Sequence, residues 1–187
     1  MLNFVEMPHV NGLDLAALGE MVEAIGQDPA LAKTGFEVTT RWAGQTRSET
    51  VVEGFTLGGK RIERQHRIVA DEPCELLGTD SAPNPQELLM AAFNACIMVG
   101  YVAGASTRGI RLDSIEIRTR GTLDLRGFLG LSDTVAPGYE SMDYEVRIKG
   151  DATPEQFEEI HQGVMKTSPN YFNFSRPIRM NGSLHVG

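Results

Sequence analysis

The feature that most constrains the fold is one long apolar segment that contains a single cysteine. The segment runs from Leu88 to Ala105 and carries no charged residue. Asn84 and Pro85 precede it, and this pair predicts a helix start, with Asn as the N-cap and Pro at the first helical position. A helix that is apolar on nearly every side is buried in a core or an interface. The sequence therefore predicts a central helix, with Cys96 three turns along it.

Length and composition fit one ordinary folded domain. The chain has 187 residues, of which 41% are hydrophobic and 22% charged, so it can bury one core and is not a disordered chain. We predict a single domain over 1–187, with residues 1–33 as an N-terminal helical extension. The formal net charge is −8 and no Lys/Arg stripe interleaves with aromatic residues, which argues against a nucleic-acid partner.

We expect neither a membrane span nor a signal peptide. The apolar stretch is at the short end of the range that crosses a bilayer, and Asn94 interrupts it, so a core helix is favoured. The first eight residues have no basic region and no long apolar region, unlike a signal peptide. Two cysteines are too few for a disulfide scaffold, which favours a reduced, cytoplasmic setting.

The rest of the chain predicts two groups of strands, one before and one after the central helix. Apolar residues at helical spacing predict an amphipathic helix within 12–32. Alternating residues predict an antiparallel meander with strands over 36–42, 47–56 and 61–69. The elements predicted after the central helix are strands over 110–125 and 142–148 joined by a loop over 127–140, a helix over 153–165, and a strand over 177–185. This order is α+β rather than alternating βαβ.

Periodicity alone allows two interpretations of Cys96. Buried cysteines are common and most of them have only a packing role, so the first interpretation is a structural cysteine. A reactive thiolate needs positive charge or hydrogen-bond donors nearby, and neither lies within one helical turn of Cys96. Any activating group must then come from elsewhere in the fold, and the first group of strands is rich in arginine. A solvated strand face is the usual reason for such arginines, and contact with Cys96 is the sharper hypothesis.

The other candidate groups give weaker signals. Cys74 lies in a loop-like segment between acidic residues, which disfavour a thiolate, so a bystander role is favoured; a disulfide with Cys96 stays open. The four histidines have no metal-ligand spacing, and no glycine-rich loop precedes a helix in a phosphate-binding pattern. We therefore expect no metal and no cofactor.

The segment from Pro83 to Cys96 is the most specific part of the chain. It resembles the reactive-cysteine helix of the OsmC/Ohr family of thiol-dependent, peroxide-reducing proteins, which starts with Asn-Pro and reaches its cysteine at the same spacing. The resemblance covers about residues 36–187, and the order of strands and helices agrees. It implies an α+β fold in which antiparallel sheets wrap around two central helices, in an intertwined homodimer with two sites at the subunit interface.

The resemblance also implies roles for individual residues. Cys96 would be the peroxidatic nucleophile, which attacks the peroxide O–O bond and becomes a sulfenic acid. An arginine from the first sheet would stabilise the thiolate, and Arg47 is our candidate, with Arg41 and Arg67 as alternatives. A glutamate in the first helical turn would orient that arginine. This position falls on Gln86, and Glu87 follows directly.

One departure from the family pattern affects turnover. The family forms a disulfide with a second cysteine in a Cys-Pro pair after the later helix, and here Ser168 precedes Pro169. Serine cannot resolve a sulfenic acid, so an external thiol reductant would do so, or Cys74 would stand in.

Two function hypotheses follow from the resemblance and its departures. The first is a hydroperoxide reductase that acts in oxidative-stress defence through Cys96 alone, with a peroxide as its substrate. The alternative is a non-catalytic or divergent member of the same fold, which binds a small apolar or thiol-bearing molecule at the dimer interface.

Overall fold

The structure is a computed structural model, and it describes residues 9–187. The chain forms two compact units, Met1–Ala91 and Ala92–Gly187, and the helix Pro85–Ser106 continues from the first into the second. The eight residues that argue against a signal peptide lie outside the described part. The prediction of a single domain over 1–187 stays a prediction.

The first unit begins with a small hairpin and a helix. Its first elements are β1 (His9–Val10), β2 (Leu13–Asp14), α1 (Leu15–Gln27) and a turn of 3-10 helix (Pro29–Ala32). The carboxylate of Asp14 caps α1 by accepting a hydrogen bond from the N–H of Ala17. The helix predicted within 12–32 is present but shorter, because the residues before it pair in the hairpin.

The first unit also contains four antiparallel strands. They are β3 (Thr34–Phe36), β4 (Thr39–Trp42), β5 (Ser48–Leu57) and β6 (Lys60–Ala70). β3 and β4 pair with successive stretches of β5, and β6 pairs with β5 on its other edge. The meander predicted here is therefore confirmed, although its first strand is divided into two short pieces.

Apolar side chains of this sheet are open to solvent. Phe36 and Trp42 are 73% and 78% exposed, and Ile68 is 44% exposed. Pairing register places Trp42 and Ile68 on one face, because Trp42 pairs with Ser48, Ser48 pairs with Ala70, and Ile68 lies two residues before Ala70 on β6. A sheet with large apolar groups left in water is typical of a surface that another chain covers.

The second unit packs an antiparallel hairpin against helices. Its elements are the later part of α2 (Pro85–Ser106), then β7 (Leu112–Arg120), α3 (Leu125–Phe128), β8 (Asp143–Gly150), α4 (Pro154–Thr167) and α5 (Pro169–Ser175). β7 and β8 pair along nearly their whole length. Thr153 begins α4 with a capping box, in which its hydroxyl accepts from the N–H of Gln156 and its own N–H donates to the Gln156 side chain.

One apolar stripe of α2 forms the centre of the core. The core consists of Phe93, Ile97, Tyr101 and Ala105 of α2, Ile110, and Ile160 and Val164 of α4, each at most 5% exposed. A four-residue spacing places the α2 members on one helical face. Gly100 lets α4 approach closely, since a Cβ there would lie 3.1 Å from a methyl carbon of Val164. Close contact between α2 and α4 is what positions the site described below.

The C-terminal region differs from the prediction in two respects. The strand predicted over 177–185 is wrong: residues 176–187 form neither helix nor strand. Alternating Ile178, Met180 and Leu184 supply strand-like faces, but a strand also needs a neighbour for its N–H and C=O groups. Helix α5 is absent from the sequence prediction, because Ser168 and Pro169 predict the end of α4, whereas they also begin the next helix.

Candidate functional site at Cys96

Cys96 lies on α2 beside the junction of α4 and α5. Its side chain is half-buried, and its Sγ is 3.4 Å from Oγ of Ser168, which is 7% exposed. These two residues are 72 positions apart in the chain. The structure thus brings together the candidate nucleophile and the residue that stands where the family resemblance places a second cysteine.

The backbone around Ser168 fixes the direction of its hydroxyl. Its N–H donates to the carbonyl of Val164, which ends α4, and its Oγ accepts from the N–H of Tyr171, which begins α5. Since Oγ accepts from the backbone, its own O–H is available to donate to sulfur. When Cys96 is a thiolate, only Ser168 of this pair carries a hydrogen to donate, and such a bond stabilises the negative charge.

A second contact ties α5 to α2 close to Cys96. The side-chain amide of Asn170 donates to the backbone carbonyl of Ala92 at 2.8 Å. On the other side of α2, Asn94 accepts from the hydroxyl of Thr119 and donates to the carbonyl of Ile117. Polar contacts therefore hold this part of α2 between α5 and β7.

An aromatic cavity of about 220 Å³ lies in the same unit. Its walls include Phe93, one turn before Cys96 on α2, and Tyr171, whose N–H binds Ser168. Thr119, Met142, Tyr144 and Phe174 complete most of the lining. The cavity has room for a small apolar group next to the segments that carry Cys96 and Ser168.

Arg47 has partners within the first unit. Its guanidinium donates to Oγ of Ser81 at 3.0 Å and to Glu49 at 3.2 Å. Glu49 also pairs with Arg67, and in strand register it lies opposite Arg41. Hydrogen bonds from Arg67 and then Arg47 lower the pKa of the Glu49 carboxyl. Arg47, just before β5, and Arg67 therefore both contact the Glu49 carboxylate, and Arg41 lies opposite it in the sheet.

Sequence reasoning missed Glu49 and Asp71. Alternation along β5 places Glu49 on the face of Arg47, and this signal could have identified it. Asp71 is 1% exposed and accepts six hydrogen bonds, from Thr46, Glu72, Thr79 and Ser81. No periodic pattern predicts that network, because it depends on how the loop after Asp71 folds back on the carboxylate and on Thr46, 25 positions earlier in the chain.

The Asp71 network supports Arg47 through one shared hydroxyl. Oγ of Ser81 donates to Asp71 at 2.9 Å and accepts from Arg47. Hydrogen bonds from Thr79, then Thr46, and then Ser81 hold the pKa of Asp71 well below its usual range. The ionised carboxylate therefore orders the 71–83 loop and fixes the group to which Arg47 binds.

Glu87 is engaged at the start of α2. Its carboxylate accepts from the N–H of Asn84, and the Asn84 side chain accepts from the N–H of Glu87, both at 2.8 Å. This is a reciprocal cap of the helix start. Within residues 9–187 the side-chain amide of Gln86 makes no hydrogen bond. The orienting role proposed for Gln86 or Glu87 stays a prediction, and Glu49 is the carboxylate that contacts Arg47.

Both cysteines are free thiols. Cys74 is exposed in a 3-10 turn, and the disulfide with Cys96 that the sequence left open is not formed. In the described part of the chain, no group of three or more His, Cys, Asp or Glu side chains could hold a metal ion. Helix α2 is long and apolar enough to cross a membrane, a property that core helices of globular proteins share.

We expect the free energy of unfolding to fall more steeply in acid for the wild-type protein than for a variant that lacks the Asp71 carboxylate. A carboxylate with a lowered pKa stabilises the fold above its unfolded value of about 4, and this stabilisation is lost as the pH falls towards the folded value. Asp71→Asn should therefore unfold more readily at neutral pH and lose less stability between about pH 5 and pH 2. Urea unfolding at fixed protein concentration measures both effects. The exposed Asp133→Asn should match wild type, and equal acid sensitivity of Asp71→Asn and wild type would contradict the assignment.

The chain is similar to known proteins both in sequence pattern and in fold. The sequence model of the family described as OsmC-like protein matches residues 78–181. An OsmC-like protein from Mycoplasma pneumoniae is similar in structure, with a TM-score of 0.58 at 15% identity over 75% of this chain and 86% of that one. An OsmC-like protein of unknown function from Vibrio cholerae gives a TM-score of 0.54 at 13% identity over 73% and 91%.

No curated protein matches the sequence. The structural likenesses show the fold, and the family match spans more than half of the chain, including α2, Cys96 and Ser168. The α+β fold inferred from the sequence is therefore confirmed, and the chain belongs to the OsmC-like protein family.

Proposed function

We propose that this protein is a hydroperoxide reductase that uses Cys96 as its single peroxidatic thiol. The observation that carries the proposal is the 3.4 Å contact between Sγ of Cys96 and Oγ of Ser168. A half-buried thiol that meets a fixed hydroxyl donor differs from a cysteine packed only among apolar groups. Arg47 is the proposed source of positive charge, supported by its defined position between Glu49 and Ser81.

The proposed reaction proceeds in three balanced steps. The Cys96 thiolate attacks the terminal oxygen of an organic hydroperoxide, the O–O bond breaks, and the alkoxide leaves and takes a proton to become an alcohol. Cys96 is then a sulfenic acid. An external thiol attacks that sulfur to give a mixed disulfide and water. A second thiol releases the Cys96 thiolate and leaves as the oxidised disulfide of the reductant.

Ser168 decides which kind of cycle is possible. Its hydroxyl can hydrogen-bond to the thiolate or to the sulfenic acid, but oxygen cannot form the disulfide that a second cysteine would form. Resolution is therefore proposed to fall to an external reductant, with the exposed Cys74 thiol as the alternative. The cytoplasm, where thiol reductants are abundant, is the proposed location.

A non-catalytic function is the second candidate, and the same serine favours it. A member without the resolving cysteine could retain the apolar cavity of about 220 Å³ and bind a small apolar or thiol-bearing molecule there. Under this hypothesis Cys96 would react with peroxide once or not at all, and no thiol reductant would restore it. Measurements of turnover and of the oxidised product on Cys96 separate the two hypotheses.

Replacing Cys96 should abolish peroxide consumption. With cumene hydroperoxide and a dithiol, wild type should turn over many times, whereas Cys96→Ser should fall to the rate of buffer alone because no other thiol is proposed to react. The control is Cys74→Ser, which should keep the wild-type rate. Turnover that survives in Cys96→Ser would contradict the assignment of the nucleophile, and turnover that disappears in Cys74→Ser would contradict resolution by an external thiol.

Introducing a cysteine in place of Ser168 should change the oxidation product of Cys96 from a sulfenic acid to a disulfide. In a Cys74→Ser background, one equivalent of peroxide should leave a trappable sulfenic acid on Cys96. Ser168→Cys in that background should instead form a disulfide between Cys96 and the introduced thiol, because the two side-chain atoms are already 3.4 Å apart. Mass spectrometry after trapping with dimedone distinguishes the products. The matched control is Thr167→Cys, at the exposed neighbouring position, which should form no disulfide. A trapped sulfenic acid in Ser168→Cys would show that the side chains at positions 96 and 168 do not come into contact.

We also propose that the protein is an intertwined homodimer, supported by the exposed apolar sheet of the first unit. Sedimentation should show a two-chain species, and Ile68→Glu should dissociate it because a charge in the covered face costs several kcal/mol. Lys60→Glu, at the strand turn, is the matched control and should remain a dimer. A wild-type protein that sediments as one chain would overturn the proposal.

A further inference from the structure

The second unit contains another cavity, of about 340 Å³, which neither Cys96 nor Ser168 lines. Its walls come from α2, β8 and α4, with Tyr101, Tyr144 and Phe157 as the aromatic members and Val146 and Ile148 as aliphatic ones. A space of this size is in the range that holds a small organic ligand. His161 supplies an imidazole to the same wall.

A buried tyrosine fixes the histidine. The Tyr101 side chain is 2% exposed, and its hydroxyl lies 2.5 Å from Nδ1 of His161. Burial raises the pKa of Tyr101, so the phenol stays protonated. A phenol is the stronger donor and an imidazole nitrogen the stronger acceptor, so we assign the hydrogen bond as Tyr101 O–H to Nδ1. The ring proton of neutral His161 is then on Nε2.

The Nε2–H group is left open to a ligand. Within residues 9–187, the hydrogen bonds and ion pairs of the structure give Nε2 no partner, while every buried side-chain nitrogen or oxygen of these residues has one. Nε2 is therefore not buried, and His161 is one of the residues that line the cavity. One oriented donor among walls that are mainly aromatic and aliphatic is the usual composition of a selective small-molecule site.

The surrounding groups restrict the ligand class. Tyr144 is tilted at 34° to the His161 ring with centroids 6.4 Å apart, so the wall presents ring faces and edges that suit an aromatic guest. Glu158 also lines the cavity, one helical turn before His161 on α4. Its negative charge opposes a carboxylate or sulfonate in the same space.

We propose that this cavity binds a small, neutral aromatic molecule whose carbonyl or similar acceptor takes a hydrogen bond from Nε2–H of His161. The site is independent of the proposed function, because Cys96 takes no part in it. Tyr101 acts as a positioning residue, since its hydroxyl determines which ring nitrogen carries the proton.

Acetophenone, a neutral aryl ketone, is the probe for this site. In a titration of nitrogen-labelled protein followed by NMR, it should shift the His161 ring resonances in a saturable manner. His161→Phe keeps an aromatic wall but removes the donor, and should weaken binding about tenfold, the loss equivalent to one net hydrogen bond. His185→Phe, at an exposed position, is the matched control and should bind like wild type. Ethylbenzene, which lacks the acceptor, should bind wild type and His161→Phe equally.

A second variant tests whether the charge of Glu158 excludes anionic ligands, and it leaves the buried core residues unchanged. Glu158 is exposed, so Glu158→Gln should fold normally, and it should strengthen binding of benzoate while leaving acetophenone unchanged. Absence of a saturable shift, or equal acetophenone affinity in wild type and His161→Phe, would overturn the proposal. Cys96→Ser should bind acetophenone as wild type does, so a failed peroxidase assay leaves this result unaffected.

Discussion

The close packing of α2 against α4 is the contact on which the candidate site and the second cavity both depend. A stripe of α2 side chains every four residues meets Ile160 and Val164, and Gly100 removes the side chain that would hold the helices apart. Helices in such contact have fixed relative positions because interiors are close-packed. The end of α4 therefore brings Ser168 to Cys96, while an earlier turn of α4 brings His161 to Tyr101.

In the first unit, hydrogen bonds and ion pairs, rather than helix packing, position the candidate functional residue Arg47. Asp71, almost fully buried, retains its ionised form because hydroxyl and backbone donors surround it, and it orders the loop before α2. Ser81 transmits that order to Arg47, and Glu49 holds Arg47 and Arg67 on one sheet face. An arginine fixed in this way is already oriented, which lowers the entropic cost of stabilising an anion. The arrangement is consistent with the electrostatic role proposed for Arg47.

Much of the fold was predictable because its signals are local. Alternation identified strands β4 to β8, and Asn84 with Pro85 identified the start of α2, where the structure shows the predicted cap. The missed helix α5 and the wrong strand over 177–185 have a common cause. In both cases a local signal allows more than one structure. Pro169 disfavours continuation of α4, but its fixed φ angle also suits the first turn of a new helix. Alternation over 177–185 shows that the segment can form a strand, but not that a neighbouring strand is there to pair with it.

The sequence by itself determined the family, the position of Cys96 on an apolar helix and the presence of serine where a second cysteine was expected. These properties belong to contiguous residues or to a motif of fixed spacing. Only the tertiary structure decided that Ser168 contacts the thiol, that Asp71 supports Arg47, and that Tyr101 orients His161. Each of these arrangements depends on a contact between residues at least 34 positions apart in the chain, and its distance is set by how helices and loops pack, which no local pattern encodes.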